Sequence, residues 1–187
     1  MSLAAVNASS WDWYFGRATG FVALLLLSAI IVIGVLGPLR VSTDAWPRFA
    51  IRTVHRDLSL LALLVIAIHV VVLVLDGYVN IPLSAAVLPF GSGYQPFWTG
   101  MGALAFDLMI AIVVTSLMRR RLGYGTWRFI HWFAYVGWPV AVAHGLGAGS
   151  DSSSAWALAL TFACVAIVAA AMVMRVQGGS AAKTLET

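Results

Sequence analysis

Four histidines are the side chains of this sequence whose type and spacing suit metal chemistry, and they occur as two pairs. His55 and His69 lie in one apolar segment, His131 and His144 lie in another, and no other histidine is present. The separations are 14 and 13 residues, which correspond to about 21 and 20 Å along an α-helix. If the two segments form neighbouring helices, His55 faces His131 and His69 faces His144.

Two neutral imidazoles that approach from opposite sides are the axial ligands of bis-histidine haem iron. A porphyrin is also a large apolar plate that a membrane interior accommodates. An ion bound without a porphyrin requires histidines three or four residues apart on one helix. A proton relay requires more acids than Asp107, the only one at membrane depth. The spacing therefore favours two haems, although a haem-free proton or metal transporter, or a scaffold, stays open.

The composition predicts the elements that hold these residues, because 61% of the chain is hydrophobic and only 10% is charged. A helix that crosses the hydrocarbon core of a bilayer needs about 20 apolar residues. We therefore expect an all-α integral membrane protein whose residues 16–174 form one haem-binding bundle. Residues 1–15 are expected to be an extracytoplasmic segment and residues 175–187 a flexible cytoplasmic tail. The five predicted transmembrane helices are residues 16–36, 54–75, 99–117, 129–146 and 155–174.

The positions of the charges predict how the bundle is oriented. Ten of the eleven Lys and Arg residues fall near one membrane face, and Arg17 is the exception. Because basic residues are enriched on the cytoplasmic side, we expect the N-terminus outside and the C-terminus in the cytoplasm of a bacterial-type inner (plasma) membrane. The net charge of +4 then reflects contact with membrane lipid and not with nucleic acid.

The 13-residue spacing of His131 and His144 predicts a distorted helix. Fourteen residues return an α-helix to within about 40° of the same face, whereas 13 residues miss it by about 140°. Gly137 and Pro139 lie between the two histidines, and proline kinks a helix because it lacks a backbone donor. We therefore expect a distortion near Pro139.

Haem propionates need cationic or hydrogen-bonding partners near the membrane surface. Arg52, Arg56 and Arg128 lie within a turn of His55 or His131 and are the candidates on the inner side. Arg17 is the candidate on the outer side, where it departs from the general distribution of basic residues.

The sequence resembles the ferric-reductase-like transmembrane domain family, which includes the membrane parts of NADPH oxidases and ferric reductases and the haem subunit of the bacterial methionine-sulfoxide reductase system. The resemblance rests on the spacings His55-x13-His69 and His131-x12-His144 and on three stretches: GRATGFVALLLLSAIIVIGVL, HRDLSLLALLVIAIHV and RRRLGYGTWRFIHWFAYVGWPVAVAHG. It implies two b-type haems, an inner one bound by His55 and His131 and an outer one bound by His69 and His144.

The resemblance also implies electron transfer across the membrane, from the cytoplasm to the exterior. NADPH oxidases and ferric reductases continue into a flavin- and nicotinamide-binding domain, but this sequence has no GxGxxG motif after a strand. We therefore expect an electron-transfer subunit of an oxidoreductase, with a separate flavoprotein donor and an extracytoplasmic acceptor. The alternative is a quinone-linked haem subunit of a periplasmic reductase. The oligomeric state is left open.

Overall fold

The computed structural model describes residues 3–37, 47–76 and 81–184 of the chain. The outermost residues of the two predicted terminal segments, 1–2 and 185–187, lie outside this part. Within it the chain is helical and contains no strand. A short 3₁₀ helix, Leu83–Ala86, precedes the third α-helix. The α-helices are α1 (Leu3–Leu36), α2 (Arg48–Leu75), α3 (Pro96–Leu117), α4 (Arg119–Leu122), α5 (Tyr124–His131), α6 (Ala134–Ala148) and α7 (Ala155–Thr184).

Four of these helices contain a stretch that is long and apolar enough to cross a membrane, as the composition predicts. They are α1, α2, α3 and α7, with the stretches Trp11–Val35, Phe49–Leu75, Pro96–Leu117 and Ala155–Gln177. Each has at least 22 residues, which exceeds the requirement of about 20 for a bilayer. The chain is therefore an all-helical membrane protein.

The fourth predicted span, residues 129–146, is not one continuous helix. It is divided between α5 and α6, and the two residues between them, Trp132 and Phe133, are in a turn. The distortion thus lies before Pro139 and not at it, because Pro139 is inside α6. A proline withholds a donor from the carbonyl four residues earlier and clashes with it. Pro139 therefore disturbs the helical turn that precedes it, and this turn adjoins the break.

The break overwinds the chain between His131 and His144. Phe133 N donates to Ile130 O, Tyr135 N to Trp132 O, and Val136 N to Phe133 O, all three residues back along the chain. This is the 3₁₀ pattern, in which each residue turns by about 120° instead of 100°. Three or four such residues add about 60–80° and reduce the expected 140° mismatch by about half.

The packing of the helices leaves a space in the middle of the bundle. Helix α1 packs along α2, α3 packs along α6, and α7 packs against α1. One core cluster joins the first pair to α3 through Ile30, Ala62 and Met109, and another joins α1 to α7 through Val35 and Val168. Within the described residues α2 and α6 make at most weak contact, so they stand on opposite sides of this space.

Candidate functional site

A cavity of about 1130 Å³ lies between α2 and α6, and all four histidines line it. Its wall is formed mainly by apolar side chains of α1, α2, α3 and α6, such as Leu27 and Met109. Pockets for drug-sized ligands are about 300–1000 Å³. The space is therefore slightly larger than the upper end of that range.

The histidines face each other across the cavity as two pairs. The ring centroids of His55 and His131 are 6.1 Å apart, with an angle of 61° between the ring planes. Those of His69 and His144 are 6.4 Å apart, with an angle of 81°. These are the pairs that the sequence spacing predicts, with one pair toward each end of α2.

The separation of the rings fits two imidazoles bound to one metal ion. An imidazole nitrogen lies about 2.0 Å from a bound metal and the ring centre about 1.2 Å further back, so two opposed ligands have centres roughly 6.4 Å apart. In the described residues no group of three or more His, Cys, Asp or Glu side chains converges. Each pair offers two nitrogens, which would suit the two axial positions of a bis-histidine haem.

Two of the four rings are oriented by backbone hydrogen bonds. Nδ1 of His69 lies 2.7 Å from the carbonyl oxygen of Gly16, and Nδ1 of His144 lies 2.8 Å from that of Trp98. A carbonyl can only accept, so each Nδ1 carries the proton and donates it. The other nitrogen, Nε2, then keeps a free lone pair, as metal-binding histidines require.

The other two rings differ in this respect. Nδ1 of His55 and Nδ1 of His131 are buried and have no hydrogen-bond partner among the residues that the structure describes. The indole ring of Trp127 stacks on His131, with centroids 5.1 Å apart and planes inclined by 29°. Trp127 is held in turn by a 3.1 Å hydrogen bond from its Nε1 to Ser116 on α3. The orientation of His131 therefore depends on an aromatic contact.

All four arginines predicted from the sequence line the cavity, but only one is held in it. Arg17 forms an ion pair with Asp151, and both side chains are largely buried. Arg52, Arg56 and Arg128 are exposed at the rim near the His55–His131 pair. There Arg56 pairs with Asp57, and Arg128 donates to the Tyr124 hydroxyl at 2.7 Å.

Two further cavity residues were not assigned a ligand role from the sequence. Arg175 on α7 donates to the Tyr135 hydroxyl at 2.9 Å and lies 5.9 Å from the ring centre of Trp132. Arg119 lies 5.3 Å from the ring centre of Trp127. In the sequence both only mark the end of an apolar segment, and no pattern distinguishes them from their neighbours.

An indole group lies on the cavity wall between the two histidine pairs. Trp138, seven residues after His131, donates from Nε1 to Oγ of the buried Ser28 at 3.0 Å. Trp132 and Phe133 also lie between His131 and His144 in the sequence. Of these three, Trp132 and Phe133 are exposed, whereas Trp138 is held in place by α1.

The acid at membrane depth is separate from this arrangement. Asp107 is half-buried on α3, and its side chain is not part of the cavity wall. The fold therefore gives Asp107 no contact with either histidine pair.

The apolar helices and the two facing histidine pairs are features of membrane proteins that bind a cofactor between their helices. The family comparison agrees with this class. The chain belongs to the ferric reductase-like transmembrane component family, whose model matches residues 19–142. The match includes His55, His69 and His131 and ends just before His144. Domains of this family generally bind haem and are associated with electron transfer across membranes. Neither the curated proteins nor the solved structures contain a significant match to the chain.

Proposed function

We propose that this protein is a dihaem b-type cytochrome that carries electrons across the membrane. The observation that carries the proposal is the pairing of the histidines, with ring centres 6.1 and 6.4 Å apart across one apolar cavity. His55 and His131 hold the inner haem, and His69 and His144 hold the outer haem. Bound haem supplies one-electron redox chemistry.

The chemistry of the wall favours haem over a path for protons or metal ions. A proton path needs a chain of exchangeable groups, but the side chains between the pairs are mainly apolar and Asp107 lies outside the cavity. Nδ1 of His69 and Nδ1 of His144 already donate to backbone carbonyls. Each outer ring thus has one nitrogen left for a ligand, which suits a fixed metal centre and not a relay.

The charged residues of the cavity divide between its two ends. Arg17 follows Gly16, whose carbonyl accepts from His69, and is the cation for the outer propionates, which share it with Asp151. Arg52, Arg56, Arg128 and Arg175 surround the opposite end and serve the inner propionates. A cation at each end offsets the cost of placing a carboxylate near hydrocarbon.

The distribution of basic residues supports an orientation with the His55–His131 end of the cavity at the cytoplasmic face of a bacterial-type plasma membrane, and the family resemblance favours transfer from there to the exterior. Arg119, Arg120 and Arg121 are exposed at the same end as His131, and such residues mark the cytoplasmic side. We propose that a flavoprotein donates electrons at this face and that an extracytoplasmic protein accepts them at the other. In this scheme the enzymatic activity belongs to the complex.

Spectroscopy of the purified protein tests the proposal. We expect a Soret band, a sharp α-band after reduction with dithionite, and two haems per chain. His55→Ala and His69→Ala should each remove one haem and leave the other. Asp107→Asn is the control, because it changes a polar membrane residue outside the cavity. Protein from haem-supplied cells that folds but shows no Soret band would refute the dihaem assignment and favour a haem-free transporter or scaffold.

A further inference from the structure

Three of the four histidine rings lie directly against glycines of a neighbouring helix. A Cβ atom on Gly102 would lie 2.6 Å from Cε1 of His144, which is inside van der Waals contact. A Cβ atom on Gly20 would lie 3.1 Å from Cε1 of His69. A Cβ atom on Gly34 would lie 3.2 Å from Cε1 of His55.

Gly20 and Gly102 each lie four residues after the carbonyl that accepts a hydrogen bond from an outer histidine. His69 donates to the carbonyl of Gly16, four residues before Gly20, and His144 donates to that of Trp98, four residues before Gly102. In an α-helix the Cα–Cβ bond tilts toward the N-terminus, so a side chain covers the turn that precedes it. A side chain at either glycine would therefore cover the carbonyl that the ring has to reach.

The same arrangement occurs on two different helices, α1 and α3, which approach the outer pair from separate sides. The inner pair lacks the complete arrangement. Gly34 makes room for His55, and Ile30 four residues earlier offers a carbonyl next to the ring. However, Nδ1 of His55 makes no hydrogen bond of normal geometry. The two pairs are therefore inequivalent.

Close approach alone does not distinguish these contacts, because Gly147 lies even closer to the ring of Trp98 and Gly100 to that of Phe90, with no histidine involved. Gly137 on α6 packs against α3, but its nearest neighbour is an ordinary contact at 3.7 Å from Leu108. Gly20 and Gly102 instead adjoin an imidazole that is already committed to a hydrogen bond. Moving that ring would break the bond, and a movement of a few tenths of an ångström is enough to change its angle.

We propose that Gly20 and Gly102 are positioning residues for the outer pair, which keep a backbone carbonyl open so that each imidazole donates from Nδ1 and presents Nε2 to the haem iron. The inference rests on the proposed function. A hydrogen bond from the distal nitrogen fixes the tautomer and makes the ligating nitrogen more basic. A more basic ligand stabilises ferric iron, so this hydrogen bond lowers the reduction potential of the outer haem.

Alanine substitutions measured on the haem-loaded protein test this role. Gly102→Ala should weaken outer haem binding about 10–100-fold, the usual cost of losing such support. Gly20→Ala, with the looser contact, should retain the haem but shift its potential upward and change the principal g-value of its ferric signal. Gly137→Ala is the matched control, and the inner haem in each variant reports whether the bundle is folded. Redox titration and electron paramagnetic resonance separate the two haems.

The outcomes distinguish this inference from the proposed function. Wild-type protein without haem overturns both. If the protein binds haem but Gly20→Ala and Gly102→Ala behave like Gly137→Ala, only the positioning role is overturned. The comparison covers haem content, reduction potential and the ferric signal. Equal loss of both haems in Gly102→Ala, with an unchanged outer signal in Gly20→Ala, also overturns it, because that result reflects general misfolding.

Discussion

The hydrogen bond between Trp138 and Ser28 connects α6, the helix of His144, to α1, and its removal should measurably destabilise the bundle. Nε1 of Trp138 lies 3.0 Å from Oγ of Ser28, and that hydroxyl donates in turn to the Leu24 carbonyl at 2.8 Å. The Ser28 side chain is only 6% exposed. Water therefore does not replace the partner that either substitution removes.

The magnitude follows from the geometry and from the membrane setting. Hydrogen bonds between transmembrane helices contribute about 0.6 kcal/mol on average and at most about 1.7 kcal/mol. The burial of the Ser28 hydroxyl places this bond in the upper half of that range, at about 1–1.7 kcal/mol. A change of that size lowers the melting temperature of a chain of this length by about 2–7 °C.

A double-mutant cycle isolates the bond. The free energy of unfolding is measured in mixed micelles by titration with a denaturing detergent, for Ser28→Ala, Trp138→Phe and the double variant. We expect the two single losses not to add, with a coupling energy of about 1 kcal/mol. Thr115→Val is the control, because Thr115 bonds only to carbonyls of its own helix. A coupling energy within about 0.3 kcal/mol of zero would refute the reasoning.

Three other substitutions test contacts that join separate parts of the bundle. Asp151→Asn should cost about 1–3 kcal/mol in the same unfolding assay, because it removes the carboxylate that pairs with the largely buried Arg17 in a setting between surface and interior. An unchanged free energy of unfolding contradicts this. Arg175→Gln removes a cation that binds the Tyr135 hydroxyl beside the His55–His131 pair. Redox titration should therefore show a more negative potential for the inner haem. An unchanged or more positive potential counts against a role of Arg175 in binding the inner propionates. Pro139→Ala should restore a backbone hydrogen bond and straighten the helix, and it should therefore lower the haem content per chain. Full haem content with an unaltered ferric spectrum would show that overwinding does not align His131.

Much of the architecture was predictable because hydrophobicity acts over whole segments. Four predicted spans have counterparts in α1, α2, α3 and α7. The predicted pairing also needed little beyond the rise per residue of an α-helix, since nearly equal separations on two neighbouring helices place the histidines at matching heights. The assignment to the ferric reductase-like family, made from these spacings, is confirmed.

The prediction was wrong about the continuity of the helix over residues 129–146, where the structure has α5, a turn and α6. The 13-residue spacing indicated that something must bend, but it could not locate the break at Trp132 and Phe133. The position of the break depends on which backbone carbonyls before Pro139 can still accept a hydrogen bond, and hence on the conformation of the neighbouring turns.

The sequence by itself determined the membrane helices, the two histidine pairs and the family, because each depends on composition or on spacing along one chain. The tertiary structure decided which groups surround the rings. It brings Gly16 and Gly20 of α1 to His69, Asp151 to Arg17, and Arg175 to the inner end of the cavity. Such contacts depend on the rotation of each helix about its axis, and that rotation is settled only when the helices pack against one another.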